Sequence, residues 1–276
     1  MQTAWAENIL TIQGTGGFDA EATFFCGQCF RWDAKPDGSY AGIVRGRSLT
    51  LLQGEDKLTL FPVAEAEIPY YIHYLALDDD YPTICTKLSR NPTLRRCIES
   101  APGLRVLHQD FFEMLLTFII SQNNNIPRIK GIVDRLCALC GEPLAEGGYC
   151  FPTPEAVAAQ TPESMAVLRA GWRVDYLLDA ARRVASGEIR EETLRLLPYH
   201  EAKSLLMTIH GVGPKVADCV LLFGLGQAEA FPADVWIKRA MASLFPKGLP
   251  GYAQPYAGIA QQFIFDYARR NPHLVK

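Results

Sequence analysis

The sequence predicts an α+β fold in which an N-terminal antiparallel β-sheet domain (residues 1–80) is followed by a mostly α-helical body (residues 81–276). Three observations predict this arrangement. Short runs rich in aromatic and β-branched residues, separated by glycine-containing turns, occupy the first 75 residues. Helical periodicity begins at Tyr81 and continues along the chain. A Gly-Val-Gly turn joins two apolar helical segments at about residues 203–225.

The strands of the first domain are predicted from runs of residues with high β propensity. We expect strands at residues 24–25, 30–32, 40–44, 48–52 and 57–61. Residues 36–38 and 54–56 have the composition of tight turns, so they should connect neighbouring antiparallel strands. The acidic run at residues 78–80 should end this domain and cap the first helix of the next.

The helices of the second part are predicted from capping residues and apolar periodicity. Asp110 and Glu113 resemble a capping box, and the helix that they open is apolar on nearly every face through Ile120, so it should be central and buried. Thr153 and Thr161 are each followed by Pro and Glu, which is typical of a helix start. Further helices are expected at residues 175–186, 198–209, 214–225, 234–244 and 256–270.

Composition excludes several classes of protein. The chain has 276 residues, of which 49% are hydrophobic, so it is long enough for two or three subdomains around a substantial core. It has no apolar run of transmembrane length, and residues 1–20 lack the basic start and apolar stretch of an export signal. We therefore expect a monomeric protein of the cytoplasm or nucleoid, without a membrane partner.

Eight cysteines are too dilute for a disulfide framework in a chain of this length, so reduced thiols are expected. The Cys-x-x-Cys pairs at residues 26/29 and 137/140 leave a zinc site as an alternative. Cysteines on one turn of an amphipathic helix are more often buried in a core, which favours the structural interpretation of the second pair.

The net charge of −3 and the isoelectric point of about 6.0 argue against a protein that binds nucleic acid over its whole surface. The charge is uneven, with 17 Lys and Arg against 15 Asp and Glu from residue 126 onward and 10 against 15 before it. A DNA-binding face is therefore allowed, but it must be local.

The turn at residues 211–213 is a candidate phosphate site. Its glycines supply positive φ and let another backbone approach closely, and Pro214 suits the first position of a helix. The free N–H groups at that helix start, together with the positive end of the helix dipole, favour an anion such as a DNA phosphate. A plain tight turn between helices has the same pattern, so the motif alone leaves both interpretations open.

Lys215 and Asp234 are the candidate catalytic pair. The two helical segments and the turn at residues 211–213 form a helical hairpin, and Lys215 lies one position inside its second helix. The helix dipole disfavours a cation there and so favours a neutral, nucleophilic amine. Asp234 precedes an apolar-periodic run and follows Pro232 closely, so it should cap the next helix and face the hairpin. On spacing alone, an exposed lysine and an ordinary capping aspartate explain the pattern equally well.

With these features the chain resembles the helix–hairpin–helix (HhH-GPD) superfamily of DNA glycosylases, and within it the 8-oxoguanine DNA glycosylase/AP lyases. The resemblance spans nearly the whole chain and rests on five separated motifs in the family's order. They are Cys-Gly-Gln-Cys-Phe-Arg-Trp (residues 26–32), Ser-Gln-Asn-Asn-Asn-Ile-Pro-Arg-Ile (121–129), Gly-Trp-Arg (171–173), Gly-Val-Gly-Pro-Lys-Val-Ala-Asp-Cys (211–219) and Pro-Tyr-Ala-Gly-Ile-Ala-Gln (255–261).

The resemblance implies a base excision repair enzyme that flips 8-oxoguanine, paired opposite cytosine, out of double-stranded DNA. It implies that Lys215 attacks the sugar and forms a Schiff base, which permits β-elimination and strand nicking. Asp234 would stabilise the positive charge that develops on the sugar. The N-terminal β domain and the helical body would then be those of the family, with the active-site cleft between helical subdomains of that body.

The resemblance also implies a pocket for the extruded base. The base would lie between the sulfur of Cys219 and the ring of Phe265, with Gln261 bonded to its Watson–Crick edge. The carbonyl of Gly27 would accept the N7 hydrogen that the oxidised base carries and guanine lacks. Without the resemblance, core packing explains Cys219 and Phe265, and a strand bulge is an equally compatible explanation of Gly27.

Four residues would handle the DNA around the vacated site. By resemblance, Asn123 fills the space that the base leaves, and Trp172 wedges into the stack. Arg128 and Arg173 would read the orphaned cytosine through its acceptors. An ordinary helix-ending turn explains residues 123–125 when the resemblance is set aside.

The hairpin completes the contacts that the resemblance implies. Gly211, Gly213 and Val216 would hold a DNA phosphate. A monovalent cation would be held by the backbone carbonyls of Met207, Ile209 and Val212. No other cofactor is expected, because relatives with an iron–sulfur cluster carry four cysteines downstream of the aspartate and no cysteine follows Cys219 here.

Two other functions remain open from the sequence. An alkylated-base DNA glycosylase would use the same scaffold, but that branch typically lacks the lysine found here at Lys215. A non-catalytic helix–hairpin–helix DNA-binding protein would need the hairpin alone, and the catalytic and base-binding residues would then have no shared purpose.

Overall fold

The computed structural model describes residues 1–274. Within them, a six-stranded antiparallel sheet with the order β1-β2-β6-β5-β4-β3 precedes a mostly helical body, which confirms the predicted fold class. The strands are β1 (Gln2–Ala6), β2 (Ile9–Gln13), β3 (Trp32–Ala34), β4 (Tyr40–Val44), β5 (Arg47–Gly54) and β6 (Lys57–Phe61).

The strands β4, β5 and β6 lie where they are predicted, whereas the earlier part of the domain differs. Strands β1 and β2 were not predicted. The strand predicted at residues 24–25 is wrong, because Asp19 caps a short helix there by accepting the N–H of Ala22 at 2.9 Å. Phe24 instead stacks on Trp32 with ring centroids 4.3 Å apart, so its aromatic character reflects burial. Of the strand predicted at residues 30–32, only the last residue belongs to β3.

The helices are named in chain order. They are α1 (Ala20–Phe24), α2 (Ile68–Tyr74), α3 (Tyr81–Leu88), α4 (Pro92–Ser100), α5 (Phe111–Ser121), α6 (Ile126–Cys140), α7 (Pro154–Ala158), α8 (Arg173–Ala185), α9 (Glu191–Leu196), α10 (Tyr199–Leu206), α11 (Pro214–Phe223), α12 (Val235–Leu244) and α13 (Ala257–Arg270). The five helices predicted after residue 174 are therefore confirmed, with ends that differ by up to three residues. Helix α2 was not predicted, and the start predicted at Thr161 leads into a short 3₁₀ segment (Ser164–Leu168).

Capping explains where several helices begin. The side chain of Asp110 accepts the N–H of Glu113 at 2.9 Å at the start of α5, and Thr153 accepts the N–H of Ala156 at 3.2 Å at the start of α7. These caps satisfy N–H groups that have no acceptor inside the helix. Both caps were predicted from the sequence, whereas the second bond of the capping box predicted at Asp110 does not form, because the carboxylate of Glu113 lies 3.8 Å from the guanidinium of Arg31.

Two hydrophobic clusters organise the molecule. One lies under the sheet and includes Leu10, Leu51 and Tyr71, and the other extends through the helical body. Helix α5 runs through the second cluster with every residue from 111 to 120 buried except Glu113, which confirms its predicted central position. Because α5 is packed against neighbouring residues on nearly every face, the position of its C-terminal residue Ser121 is well fixed.

No helix within residues 1–274 is both long enough and apolar enough to span a membrane. The eight cysteines are free thiols, and most of them are buried. In the same described part of the chain, no three His, Cys, Asp or Glu side chains converge in a way that could hold a metal ion.

Candidate active site

A cleft of about 810 Å³ lies between the sheet domain and the helical body. Its walls come from the segment after α1, the end of α5 with the loop into α6, the starts of α11 and α12, and helix α13. An inner pocket of about 50 Å³ adjoins the cleft and shares several of its residues. The inner pocket brings together the predicted catalytic and base-binding side chains, which are Gly27, Lys215, Cys219, Asp234, Gln261 and Phe265.

Lys215 reaches the cleft from the first turn of α11. Its Nζ donates to the Oγ of Ser121 at 3.2 Å and lies 5.0 Å from the centre of the Phe118 ring. The hydroxyl of Ser121 donates to the carbonyl of Phe118 at 2.8 Å, so its oxygen lone pairs remain for the lysine. The buried end of α5 therefore holds the amine in the cleft.

Asp234 caps α12, as predicted, because its Oδ1 accepts the N–H of Ile237 at 2.7 Å. That bond fixes the carboxylate at the helix start, where the helix dipole favours negative charge. The same side chain lines both the cleft and the inner pocket, as Lys215 does. A fixed carboxylate and an amine thus line the same pocket.

The hairpin between α10 and α11 exposes unsatisfied N–H groups. Gly211 has φ of +81°, and a Cβ there would overlap the ring of Tyr176. Gly213 precedes α11 and offers no side-chain cap. The N–H of Ala217 is the first that bonds within the helix, to Gly213 at 3.0 Å, which leaves the preceding N–H groups for an anion. The side chain of Val216 is buried, so its contact with a phosphate would be through its backbone N–H.

Gly27 and Phe265 are neighbours in the lining of the inner pocket. Gly27 has φ of +84°, a conformation that residues with a Cβ rarely adopt. A Cβ placed there would lie 3.7 Å from Cε1 of Phe265, in ordinary van der Waals contact. The absence of a side chain therefore exposes the backbone of Gly27 to the pocket beside a flat aromatic face.

Cys219 and Gln261 lie deeper, with relative exposures of 2% and 4%. Burial raises the pKa of Cys219 to about 11, although the nearby charge of Lys215 opposes this shift. The sulfur is therefore a neutral thiol at neutral pH, and a neutral, polarisable sulfur packs well against an aromatic ring. Gln261 lines the inner pocket from α13.

The four residues predicted to handle DNA lie together near the end of α5, outside the inner pocket. Asn123 is exposed and has φ of +49°, a left-handed conformation that Asn tolerates better than most residues. Trp172 is half exposed, and its ring lies 4.2 Å from the guanidinium of Arg173. Arg128 is exposed on the first turn of α6.

Arg173 differs from the other three because its guanidinium is buried and already bonded. It donates to the carbonyls of Gln122, Asn123 and Ala170 through four hydrogen bonds, which use four of its five N–H donors. Burial, followed by the charge of Arg128, lowers the pKa of Arg173. Arg173 thus ties the residue 122–123 loop to the turn before α8.

Several residues of the site were not singled out from the sequence. Ser121 holds the lysine, and Lys130 lines the cleft while pairing with Asp33 at 3.1 Å. Gln262 lines the inner pocket beside Gln261. Each depends on a contact between segments distant in the chain, which spacing does not reveal.

Two family models match the chain. A model of the N-terminal domain of 8-oxoguanine DNA glycosylase matches residues 11–115. A model of the HhH-GPD superfamily of base excision DNA repair proteins matches residues 116–248, which contain the hairpin, Lys215 and Asp234.

Solved structures and curated proteins give the same picture. A structure of MBOgg1 in complex with a low-affinity DNA ligand is 36% identical with a TM-score of 0.93, over 98% of this chain and 99% of that one. An 8-oxoguanine glycosylase/lyase from Clostridium acetobutylicum, in complex with double-stranded DNA containing cytosine opposite 8-oxoG, is 33% identical with a TM-score of 0.93, over 99% of both chains. A probable N-glycosylase/DNA lyase from Methanothermobacter thermautotrophicus is 29% identical over 235 residues, which are 73% of this chain and 74% of that protein.

Proposed function

Since the chain belongs to the 8-oxoguanine DNA glycosylase family of the HhH-GPD superfamily, and is a bifunctional DNA glycosylase and DNA lyase, we propose the following substrate and reaction. The substrate is 8-oxoguanine opposite cytosine in double-stranded DNA. The enzyme flips the damaged base out, cleaves its N-glycosidic bond through a Schiff base on Lys215 and nicks the strand by β-elimination. The observation that carries this proposal is the convergence of Lys215, Asp234, Gly27 and Phe265 on one pocket.

Binding begins at the hairpin and at the loop after α5. The free N–H groups at the start of α11, including that of Val216, take a backbone phosphate. Asn123 enters the duplex where the base has left, and Trp172, already half exposed, inserts beside it. Arg128 reads the orphaned cytosine together with Arg173. Arg173 does so by exchanging some of its bonds to loop carbonyls for bonds to the base.

Recognition takes place in the inner pocket. The extruded base stacks between the Cys219 sulfur and the Phe265 ring, and Gln261 bonds to its Watson–Crick edge. The carbonyl of Gly27 accepts the N7 hydrogen of 8-oxoguanine, whereas guanine presents a lone pair to it. An unsatisfied buried carbonyl costs about 1–3 kcal/mol, which is roughly a ten- to a hundred-fold preference. The cost of extruding an undamaged base adds a second filter.

Chemistry follows from the amine and the carboxylate that face the same space. The Nζ of Lys215 attacks C1′, and the bond from C1′ to N9 breaks so that the base leaves with the electron pair and takes up a proton. Asp234, held by its bond to the N–H of Ile237, stabilises the positive charge that develops on the sugar. Ring opening gives an imine between C1′ and Lys215.

The lyase step uses that imine. A C2′ proton is acidified by the protonated imine, and its removal expels the 3′ phosphate as the C3′–O bond breaks. Hydrolysis of the imine then releases the unsaturated sugar and regenerates the amine of Lys215. The neutral thiol of Cys219 is not needed as a nucleophile in any of these steps.

A monovalent cation at the hairpin fits the residues present. The carbonyl of Ile209 accepts the N–H of Val212 at 3.0 Å and keeps a second lone pair. With the carbonyls of Met207 and Val212 it offers the hard oxygen donors that such a cation prefers. When bound, the cation would add positive charge near the phosphate, and the proposed reaction needs no cofactor.

Borohydride trapping tests the proposal. The protein is incubated with duplexes that carry 8-oxoguanine opposite each of the four bases, and the imine is reduced to a stable adduct. We expect an adduct with the wild type, most of it opposite cytosine, and none with Lys215→Gln. The matched control is Lys130→Gln, which removes the other lysine of the cleft and should still form the adduct.

Two outcomes would contradict the proposal. Release of the base without an adduct indicates a glycosylase that uses the aspartate alone, as an alkylated-base enzyme does. Binding of the duplex without release of any base indicates a non-catalytic DNA-binding protein.

A further inference from the structure

We propose that Gln262, held by the thiol of Cys26, fixes the side-chain amide of Gln261 in one orientation and thereby makes the inner pocket selective for 6-keto purines over 6-amino purines. Gln262 is then a positioning residue, which acts on the base through Gln261. This inference rests on the proposed function, because it takes Gln261 as the residue that meets the Watson–Crick edge.

The relay runs from Cys26 through Gln262 to Gln261, and Cys26 lies beside the fixed amide of Gln28. The Nε2 of Gln28 donates to the carbonyls of Thr23 at 2.8 Å and Arg105 at 2.7 Å, while its Oε1 accepts the N–H of Leu107 at 2.8 Å. Backbone carbonyls cannot donate and a backbone N–H cannot accept, so these three bonds permit only one orientation of the Gln28 amide. Gln28 is completely buried, which keeps water from substituting for any of them.

Cys26 lies between Gln28 and Gln262. Its sulfur lies 3.3 Å from the Nε2 of Gln28, whose two N–H groups are already bonded to the carbonyls of Thr23 and Arg105. The single thiol proton has two acceptors within reach, the Oε1 of Gln262 at 3.2 Å and the carbonyl of Thr23 at 3.4 Å, and the shorter contact directs it to Gln262. Burial raises the pKa of Cys26 to about 12, so the thiol keeps the proton that it donates. Cys26 is therefore a buried donor to the Oε1 of Gln262.

Gln262 passes the orientation on to Gln261. Because the Oε1 of Gln262 accepts from Cys26, its Nε2 is directed at the Oε1 of Gln261, to which it donates at 2.7 Å. Both glutamines are almost fully buried, at 3% and 4% relative exposure. A reversed Gln261 amide would place two N–H donors against each other, which is unfavourable in a buried setting.

The fixed amide of Gln261 matches one type of base edge. Its Nε2 donates to no protein atom within residues 1–274, and its Oε1 keeps one lone pair. A 6-keto purine presents an O6 acceptor beside an N1–H donor, which pair with Nε2 and with Oε1 respectively. A 6-amino purine presents a donor at N6 and an acceptor at N1, so both contacts become mismatched. Mismatch at a polar site of this kind is far more costly than the loss of an apolar contact.

A pair of lesions tests this effect through the change of their excision ratio between variants, because their unequal pairing with cytosine is the same for every variant. 8-Oxohypoxanthine and 8-oxoadenine share the C8 carbonyl, the N7 hydrogen and the absence of a 2-amino group, and they differ only at the 6-position and N1. We measure the single-turnover excision rate of each lesion opposite cytosine and take the ratio, with 8-oxoguanine as the reference substrate. We expect the wild type to favour 8-oxohypoxanthine by about tenfold or more.

Gln262→Met removes the donor at nearly constant length and should reduce that ratio by about tenfold or more. Gln262→Glu supplies a titratable donor, because a protonated carboxyl can donate to Gln261 and a carboxylate cannot. Its ratio should therefore fall as pH rises, while that of the wild type stays level. Cys26→Ser keeps a donor and should retain the wild-type ratio, whereas Cys26→Ala should lower it.

A purely structural role predicts a different result. Thr117→Val, which replaces another buried polar side chain in α5, should leave the ratio unchanged and serves as the control. If Gln262→Met slows both lesions equally and keeps the wild-type ratio, the inference is wrong.

Failure of the proposed function is a separate outcome, recognised when the wild type excises neither 8-oxoguanine nor 8-oxohypoxanthine. The relay is then tested by NMR of protein labelled with ¹⁵N-glutamine. A Gln262 side-chain proton that is protected from exchange in the wild type and loses protection in Gln261→Leu supports the relay. An unprotected proton overturns it.

Discussion

The Nζ of Lys215 donates to the Oγ of Ser121 at 3.2 Å, which joins the first turn of α11 to the last residue of α5. The serine in turn donates to the carbonyl of Phe118 within the most buried helix of the molecule. These two hydrogen bonds connect the amine of Lys215, the candidate nucleophile, to a helix of the hydrophobic core. They restrict the position of the amine, which the flexible lysine side chain alone would not do. Positioning of this kind contributes to catalysis by placing the amine before the sugar arrives.

Ser121→Ala should lower the single-turnover excision rate of 8-oxoguanine by about tenfold, because the amine loses its acceptor and samples more conformers. The affinity for duplex DNA should not change. Ser100→Ala is the matched control, since Ser100 ends α4 and donates to the carbonyl of Cys97 at 2.7 Å in the same manner, remote from the cleft. Equal rates for Ser121→Ala and the wild type would remove Ser121 from the positioning of the lysine.

Asp234→Asn should bind the lesion duplex as tightly as the wild type but excise the base about 10²- to 10³-fold more slowly, because the charge that stabilises the transition state is gone. Stability should be preserved, since Asn is as good a helix cap as Asp. Thermal unfolding checks this point against Asp80→Asn, which changes the cap of α3 in the same way. Wild-type turnover by Asp234→Asn would exclude Asp234 from the mechanism.

Comparing Gly27→Ala with Gly38→Ala separates two effects of an added methyl group, which are backbone strain and occupation of the base pocket. The two glycines have φ of +84° and +85°, so alanine should cost about 1–2 kcal/mol of stability at either position. A Cβ at Gly38 meets no atom within 4 Å, whereas one at Gly27 lies 3.7 Å from Phe265 and enters the base pocket. Only Gly27→Ala should therefore lower excision, by about tenfold or more.

Denaturant unfolding measures the first effect of these variants, and single-turnover kinetics measures the second. If both variants excise 8-oxoguanine equally well, Gly27 does not contact the extruded base.

The two glycines of the hairpin should also respond differently to alanine. A Cβ at Gly211 would overlap the ring of Tyr176, so Gly211→Ala should destabilise the protein by about 2–4 kcal/mol through strain and overpacking. A Cβ at Gly213 meets nothing within 4 Å, so Gly213→Ala should lose only about 1 kcal/mol or less, since alanine is a poorer helix cap than glycine. It should nevertheless bind undamaged duplex more weakly at fixed salt, since the added methyl keeps the phosphate from the N–H groups at the start of α11. Unchanged affinity in Gly213→Ala would contradict the phosphate site at the hairpin.

Local signals predicted the parts of the fold that depend on local physics. The caps at Asp110 and Asp234 and the glycines of the hairpin could be read from the sequence because each acts within a few residues. Residues 24–25 were predicted as a strand because aromatic residues suit both a strand and a buried helix, and the competing signal was the cap at Asp19.

The sequence could not predict which of the site residues would contact one another in the folded protein. Cys26 and Gln262 are 236 positions apart and touch only because the sheet domain packs on α13. Arg173 was predicted to read the orphaned cytosine, and its donors bond to loop carbonyls that no local pattern would assign to it. Contacts of this kind are set by tertiary packing, which the spacing of residues does not encode.

The central claim is that one amine, that of Lys215, forms the covalent intermediate, and locating the adduct tests it most directly. The wild-type protein is reduced with borohydride on an 8-oxoguanine duplex, digested, and the modified peptide is identified by mass spectrometry. Two lysines line the cleft within residues 1–274, and Lys130 is already paired with Asp33. We predict that the sugar remnant is found on Lys215. A remnant on Lys130, or on the N-terminal amine, would contradict the account.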